Sequence, residues 1–235
     1  MFIQKWTTIM YRNYYVEDIK TEFKHMIDND QLRHGMVEIR GATFIADQPC
    51  MFGKPNQEYI DAEIQWYESE NKSVYRLFDI YGKKVQIWEN VADEYGEVNS
   101  NYGWCIYSKE RGNQFINAYR HLIDDPYTRQ AVLIYQHPDM HLIAGKDFTC
   151  TNMQQFFIVD NKLECVVQMR SQDAVFGYNN DIAWFKHVQL KMLNKINDMR
   201  KLIGAQELSL GPITMQVGSL HVYPRHQHYI WNYVS

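Results

Sequence analysis

Val188, Met192, Ile196, Met199 and Ile203 recur every three or four positions and stop at Gly204. Only an α-helix brings that spacing onto one face, and glycine suits the left-handed residue that often follows a last turn. The stripe predicts a long central helix from Ala183 to Ile203. Just before it, in "FGYNNDIAW" (176–184), Asp181 stands where a polar loop hands over to the helix. It is either a helix cap or a residue that reads a ligand.

"MQQFFIV" and "KLECVVQMRS" read as two strands joined by "VDNK"; in the second, Leu163, Cys165, Val167 and Met169 share one face, and Glu164, Val166, Gln168 and Arg170 the other. Val16, Ile19, Phe23 and Ile27 predict a first helix ending at Asn29-Asp30. "MVEIRGATFIADQP" reads as strand, turn and strand around Gly41. Ile60, Ile64 and Tyr67 predict a second helix carrying Glu63, and Phe115, Ala118, Tyr119 and Leu122 a third, followed by a buried strand in "RQAVLIYQ". "KKVQIWENVADEYGEVNSNYGWCIY" has no clean period and reads as an aromatic functional loop. "PITMQVGSLHVYP" is a last strand with Ser219, His221 and Tyr223 on one face. Helices mixed with hairpin-like strands predict an α+β fold, and 235 residues suit one domain over 1–235.

A net charge of −4 gives no overall electrostatic reason to bind nucleic acid or an anionic membrane, so a phosphate needs a local cluster of donors. No apolar run approaches the roughly 20 residues that span a bilayer. The four cysteines lack CxxC spacing and no signal peptide is read, so they are expected to be thiols in a reducing cytoplasm. His226 and His228 have no carboxylate or cysteine at useful spacing, and no metal is expected.

Three clusters could do chemistry. Arg170, Ser171 and Asp173 in "MRSQD" suit an anionic, hydroxylated ligand such as a nucleotide phosphate, or form a strand-end salt bridge. Cys150 in "DFTCTN" is a nucleophile if exposed beside a positive charge, or else an inert thiol. His221 and Tyr223 could grip a sugar hydroxyl or simply satisfy each other.

In order along the chain, "EIQWY", "IWENVADEYGEVNSNYGW", "TCTN", "QMRSQD", "FGYNNDIAW" and "HVY" resemble the motifs of the thymidylate synthase family. Within that family the likeness is greatest to its branch of T-even-like bacteriophage deoxycytidylate hydroxymethylases. The resemblance implies a three-layer α+β fold whose mixed, kinked sheet packs against that of a second subunit in a homodimer. It implies 5,10-methylenetetrahydrofolate as co-substrate, dCMP as substrate, the cytoplasm of an infected bacterium as location and a phage nucleotide-synthesis complex as a further partner. Cys150 would attack C6 of the pyrimidine, with Tyr102 beside it and Glu63 ordering water and relaying protons. Arg170, which would also favour the charged form of the sulfur, and Ser171 would bind the phosphate, His221 and Tyr223 the 3′-hydroxyl. Ile87, Trp88, Asp173 and Gly177 would line the folate site. Arg129 would reach the phosphate of the partner subunit's site; Gln130 replaces the family's second arginine there, and Arg40 is a candidate to compensate.

Family synthases carry asparagine at the position of Asp181. Cytosine reverses the uracil edge, so a carboxyl that accepts from N4–H and shares a proton with N3 suits it better. The twelve residues from Pro224 to Ser235 are fewer than the synthase tail that closes over the site, and an uncovered site is expected to admit water and yield a hydroxymethyl product. A dCMP methyltransferase, a CMP hydroxymethylase and a non-catalytic nucleotide-binding subunit remain as alternatives.

Overall fold

The computed structural model describes residues 14–141 and 147–233. Its elements are α1 (Val16–Asp28), β1 (Val37–Ile45), α2 (Gln57–Glu68), α3 (Val74–Tyr81), α4 (Gln86–Val91), α5 (Tyr102–Tyr107), α6 (Gln114–Asp124), β2 (Val132–Ile134), β3 (Thr151–Val159), β4 (Lys162–Asp173), α7 (Gly177–Leu202), β5 (Ser209–Val222) and α8 (His228–Trp231). Among the described residues the strands form one mixed sheet in the order β1-β5-β4-β3-β2. All neighbours are antiparallel except β4 and β5. A parallel pair needs a long crossover, and α7 supplies it.

The β3–β4 hairpin turns through Asp160 (φ 47°) and Asn161 (φ 60°), the left-handed pair that a two-residue hairpin requires and that Asp and Asn tolerate. The apolar face of β4 is buried as its alternation demands, in one core with Val188, Met192 and Ile196 of α7, Phe156 of β3 and Met215 of β5. Each such side chain contributes roughly 1.5–3 kcal/mol by leaving water. Gln189 ties α7 to the sheet by donating to the carbonyl of Leu163 at 2.8 Å. Among the described residues no helix is long and apolar enough to cross a membrane.

Several sequence expectations need correction. The stretch around Gly41 is one strand: Gly41 has φ +65°, yet its neighbours Arg40 and Ala42 stay paired with Ser219 and Val217, so the chain passes through without reversing. The aperiodic segment contains α4 and α5, and α3 precedes it. Such short helices offer too few turns for a period; of the three, only α5 has a side-chain cap, where Asn101 accepts from the backbone N–H of Trp104 at 2.8 Å. "RQAVLIYQ" contributes only the short edge strand β2.

The central helix begins at Gly177, not Ala183. Asp173 accepts from the backbone N–H groups of Val175 (3.1 Å) and Phe176 (3.3 Å) and turns the chain into it. Its first turns flank a cleft rather than the sheet, so the apolar stripe starts only where α7 meets β4. Asp181 is therefore inside the helix and is not its cap. Strand β5 ends at Val222, and Ser219 donates to Glu38 instead of sharing the cleft with His221 and Tyr223.

Candidate active site

Strands β4 and β5 end side by side, and a cleft of about 560 Å³ opens there beneath α2, α4 and the first turns of α7. All the expected site residues except Arg129 line it: Cys150, Glu63, Asp181, Tyr102, Arg170, Ser171, His221, Tyr223, Ile87, Trp88, Asp173 and Gly177. Arg129 is exposed, outside the cleft of its own chain. Arg40 also lies elsewhere, 3.3 Å from Glu38.

Cys150 immediately precedes β3, and Arg170 of β4 reaches across to it. The guanidinium of Arg170 lies 3.6 Å from Sγ and is aimed by the carbonyls of Phe148 (2.6 Å) and Thr149 (3.1 Å). Burial pushes the Cys150 thiol up; Arg170 pulls it down, while Asp181 and Asp147 push it further up. Arg170 thus favours the charged sulfur, as expected, while burial works against it. Beside it, Tyr102 accepts from Thr151 at 2.8 Å and stacks on Tyr67 with ring centres 5.2 Å apart.

Glu63 is 6% exposed on α2, where burial lifts its carboxyl to about 7 against the opposing hydrogen bonds of Tyr59 and Trp88. Tyr59, one turn earlier, donates to Glu63 and accepts from the indole N–H of Trp88 at 2.8 Å. This relay runs from the cleft mouth to the buried acid. Asp181 faces the same cavity; burial first, then the neighbouring Glu63, lifts its carboxyl to about 8, with a hydrogen bond from Gln172 opposing. Two buried carboxyls that hold protons near neutrality suit proton exchange with a ligand.

The sequence profile of the thymidylate synthase family matches residues 54–234. The chain belongs to the thymidylate synthase family. It is 42% identical over 203 residues to the deoxycytidylate 5-hydroxymethyltransferase of Enterobacteria phage T2, covering 83% of this chain and 80% of that one. It is 43% identical over 194 residues to the enzyme of the same name from Enterobacteria phage T4, covering 81% and 76%. Its fold matches thermostable thymidylate synthase A of Bacillus subtilis with a TM-score of 0.63 and 20% identity, over 83% of this chain and 70% of that one.

The cleft also suits the folate that thymidylate synthases use. Ile87 (63% exposed) and Phe176 (47%) leave apolar surface at its mouth, where a flat aromatic ligand would cover them. Tyr59, Gln172, Phe176 and Arg225 line the cleft without having been singled out in the sequence, and His226, considered there only as a metal ligand, lines it too. Tyr59 was legible in principle, since a residue four before Glu63 shares its helix face. Arg225 sits over the Tyr223 ring, 4.7 Å from its centre, in a 3₁₀ turn that period-2 reasoning does not reach.

Proposed function

We propose that this chain is a deoxycytidylate 5-hydroxymethyltransferase that moves a one-carbon unit from 5,10-methylenetetrahydrofolate to C5 of dCMP and hydrates it. The observation that carries the reading is Asp181, an acid that burial keeps protonated, in the same cleft as Cys150. A carboxyl that accepts from N4–H and passes its proton to N3 meets both groups of the cytosine edge and stabilises the ring protonated as sulfur adds; uracil, whose N3 already carries a hydrogen, cannot take that proton. The names of the phage relatives point the same way.

Cys150 adds to C6 of dCMP and Asp181 supplies the proton that N3 takes up, so C5 becomes nucleophilic. Arg170 and Ser171 hold the phosphate, and His221 and Tyr223 the 3′-hydroxyl. The folate, held by Ile87, Trp88, Asp173 and Gly177, supplies carbon at the oxidation level of formaldehyde. Glu63, fed by Tyr59, accepts the proton leaving C5 and directs water at the methylene left on the ring. Sulfur then leaves C6, giving 5-hydroxymethyl-dCMP and tetrahydrofolate. Tyr102 flanks the sulfur throughout.

The enzyme acts as a homodimer in the host cytoplasm. Its second subunit covers the sheet face opposite the helices, where Phe157, Val166 and Gln168 are only half-buried, and Arg129 reaches the partner's phosphate site. The exposure of Arg129 and its distance from its own cleft support this. Mass analysis of the product from dCMP and methylenetetrahydrofolate tests the chemistry. A product heavier than dCMP by a hydroxymethyl group is expected; a methyl product, or binding without turnover, would refute it.

A further inference from the structure

Gln172 is 2% exposed yet borders the cleft, one residue past Ser171 in β4. Its backbone is fixed on both sides by the parallel ladder, with Ser171 opposite Ser219 and Asp173 opposite His221. The side-chain nitrogen Nε2 donates to Oδ2 of Asp181 at 3.4 Å. The other end of the same amide, Oε1, is buried and has no hydrogen-bond partner. Such an orphaned acceptor costs about 1–3 kcal/mol and calls for a physical reason.

The reason lies in what a base-reading carboxyl has to do. Ionised, Asp181 only accepts; once it carries a proton, one of its oxygens donates. A lysine or arginine beside it would lock the ionised form, and an apolar neighbour would support neither. A primary amide offers two donors at one end and an acceptor at the other, and exchanges them by half a turn about its last bond. The oxygen and nitrogen of such a group are told apart only by their partners.

We propose that Gln172 is a positioning residue for base selection: its amide holds Asp181 against the pyrimidine edge and turns end for end as that carboxyl gains or loses its proton. The unpartnered Oε1 is the half of the amide that serves the protonated state. Titratable groups that share the field of Asp181 are Glu63 and Tyr67 of α2, Tyr102 of α5, Tyr135 after β2, Cys150 before β3 and Asp173 of β4. Gln172 is the one whose hydrogen bond to Asp181 favours the ionised form.

The inference rests on dCMP being the substrate, and the experiment separates the two. The ratio of kcat/KM for dCMP over dUMP and the pH profile for dCMP are measured for the wild type, for Gln172→Met, which keeps the length without the hydrogen bonds, and for Gln172→Glu. For Gln172→Met the ratio falls about 10-fold or more, the loss expected for one hydrogen bond to a charged group, and the basic limb moves to higher pH because the ionised carboxyl has lost its donor. Gln172→Glu shifts that limb upward too, since a second acid adds like charge. A side chain that only fills space would leave both readings in place. If Gln172→Met does not fold, Gln172→Glu decides by the same two readings. An active wild type whose variants keep its ratio and limb overturns the role of Gln172 alone; a wild type inactive on dCMP overturns the assignment of substrate and this inference together.

Discussion

Replacing Tyr59 by Phe removes one oxygen from the relay that joins Trp88 to Glu63, and its effect can be worked out. The hydroxyl donates to Glu63 and so favours the ionised carboxylate; removing it raises the pKa from about 7. A hydrogen bond to a charged group contributes about 1.5–3 kcal/mol, or about 1–2 pKa units, and water entering the vacated space reduces this to about one unit. At pH 7 the ionised fraction then drops from about one half to about one tenth, a roughly fivefold loss in kcat/KM. The assay is kcat/KM for dCMP from about pH 6 to about pH 9, which reports ionisations of the free enzyme. The acid limb should move up by about one unit towards the basic limb set by Asp181 near 8, so the profile narrows and the loss relative to wild type shrinks as pH rises. A limb that does not move, or a loss uniform across the profile, refutes the idea that Tyr59 acts through the protonation of Glu63.

Other consequences follow from the same geometry. Asp181→Asn can still pair with N4–H and N3 by turning its amide but has no proton to give N3, and should lower the dCMP:dUMP ratio by about 10- to 1000-fold, read from kcat/KM for each nucleotide; an unchanged ratio removes Asp181 as the base reader. The same variant bears on stability, because unfolded carboxyls ionise near pH 4 whereas Glu63 and Asp181 do so near 7 and 8. The folded chain therefore binds more protons in that window and loses stability as pH rises through it, by at most about 1.4 kcal/mol per pH unit for each group. Denaturant titration should show Asp181→Asn gaining on wild type between about pH 4 and about pH 8. Cys150→Ser should abolish turnover while dCMP still binds by calorimetry; if it remains active, the nucleophile is another group. Mixing Arg129→Ala with Cys150→Ser subunits should restore activity, since one cleft per mixed dimer is then intact; no recovery argues against a shared site. Gly103→Ala would set a Cβ 1.7 Å from the carbonyl oxygen of Tyr67, where α5 presses on α2. Thermal unfolding should show a loss of about 3 kcal/mol, or about 10 °C.

Elements that bury one face against a broad partner were legible in the sequence. The stripe of α7, the alternation of β4 and the Asp160-Asn161 turn each reflect a period or a backbone angle that few residues satisfy. The first turns of α7 were not, because Gly177 to Asp181 border a cavity and the polar residues facing it break the period. The helices α3, α4 and α5 are too short to show one. At the site, Cys150, Glu63, Arg170 and Asp181 were reached through the resemblance of six motifs in order to the thymidylate synthase family, since each motif alone has an ordinary structural reading. Tyr59 was within reach of helix spacing from Glu63, whereas Gln172 borders the cleft beside a neighbouring carboxyl and Arg225 lies in irregular backbone, so only their packing reveals them. At Cys150 a sequence shows the charge of Arg170 but not the burial that opposes it.

The crossover through α7 also sets a timetable. Arg170, Gln172, Asp173, Asp181, His221 and Tyr223 all belong to the span from β4 to the residue after β5, and the parallel ladder that aligns the two strands joins elements separated by a whole helix. Contacts so distant along the chain carry a large loop-closure cost and form late. During synthesis, Cys150 and Glu63 leave the ribosome well before the strand that completes their cleft. Until Tyr223 has emerged the cleft lacks one wall, so the Cys150 thiol, made after Glu63, Trp88 and Tyr102, waits for strands that come later in the chain before it is sheltered.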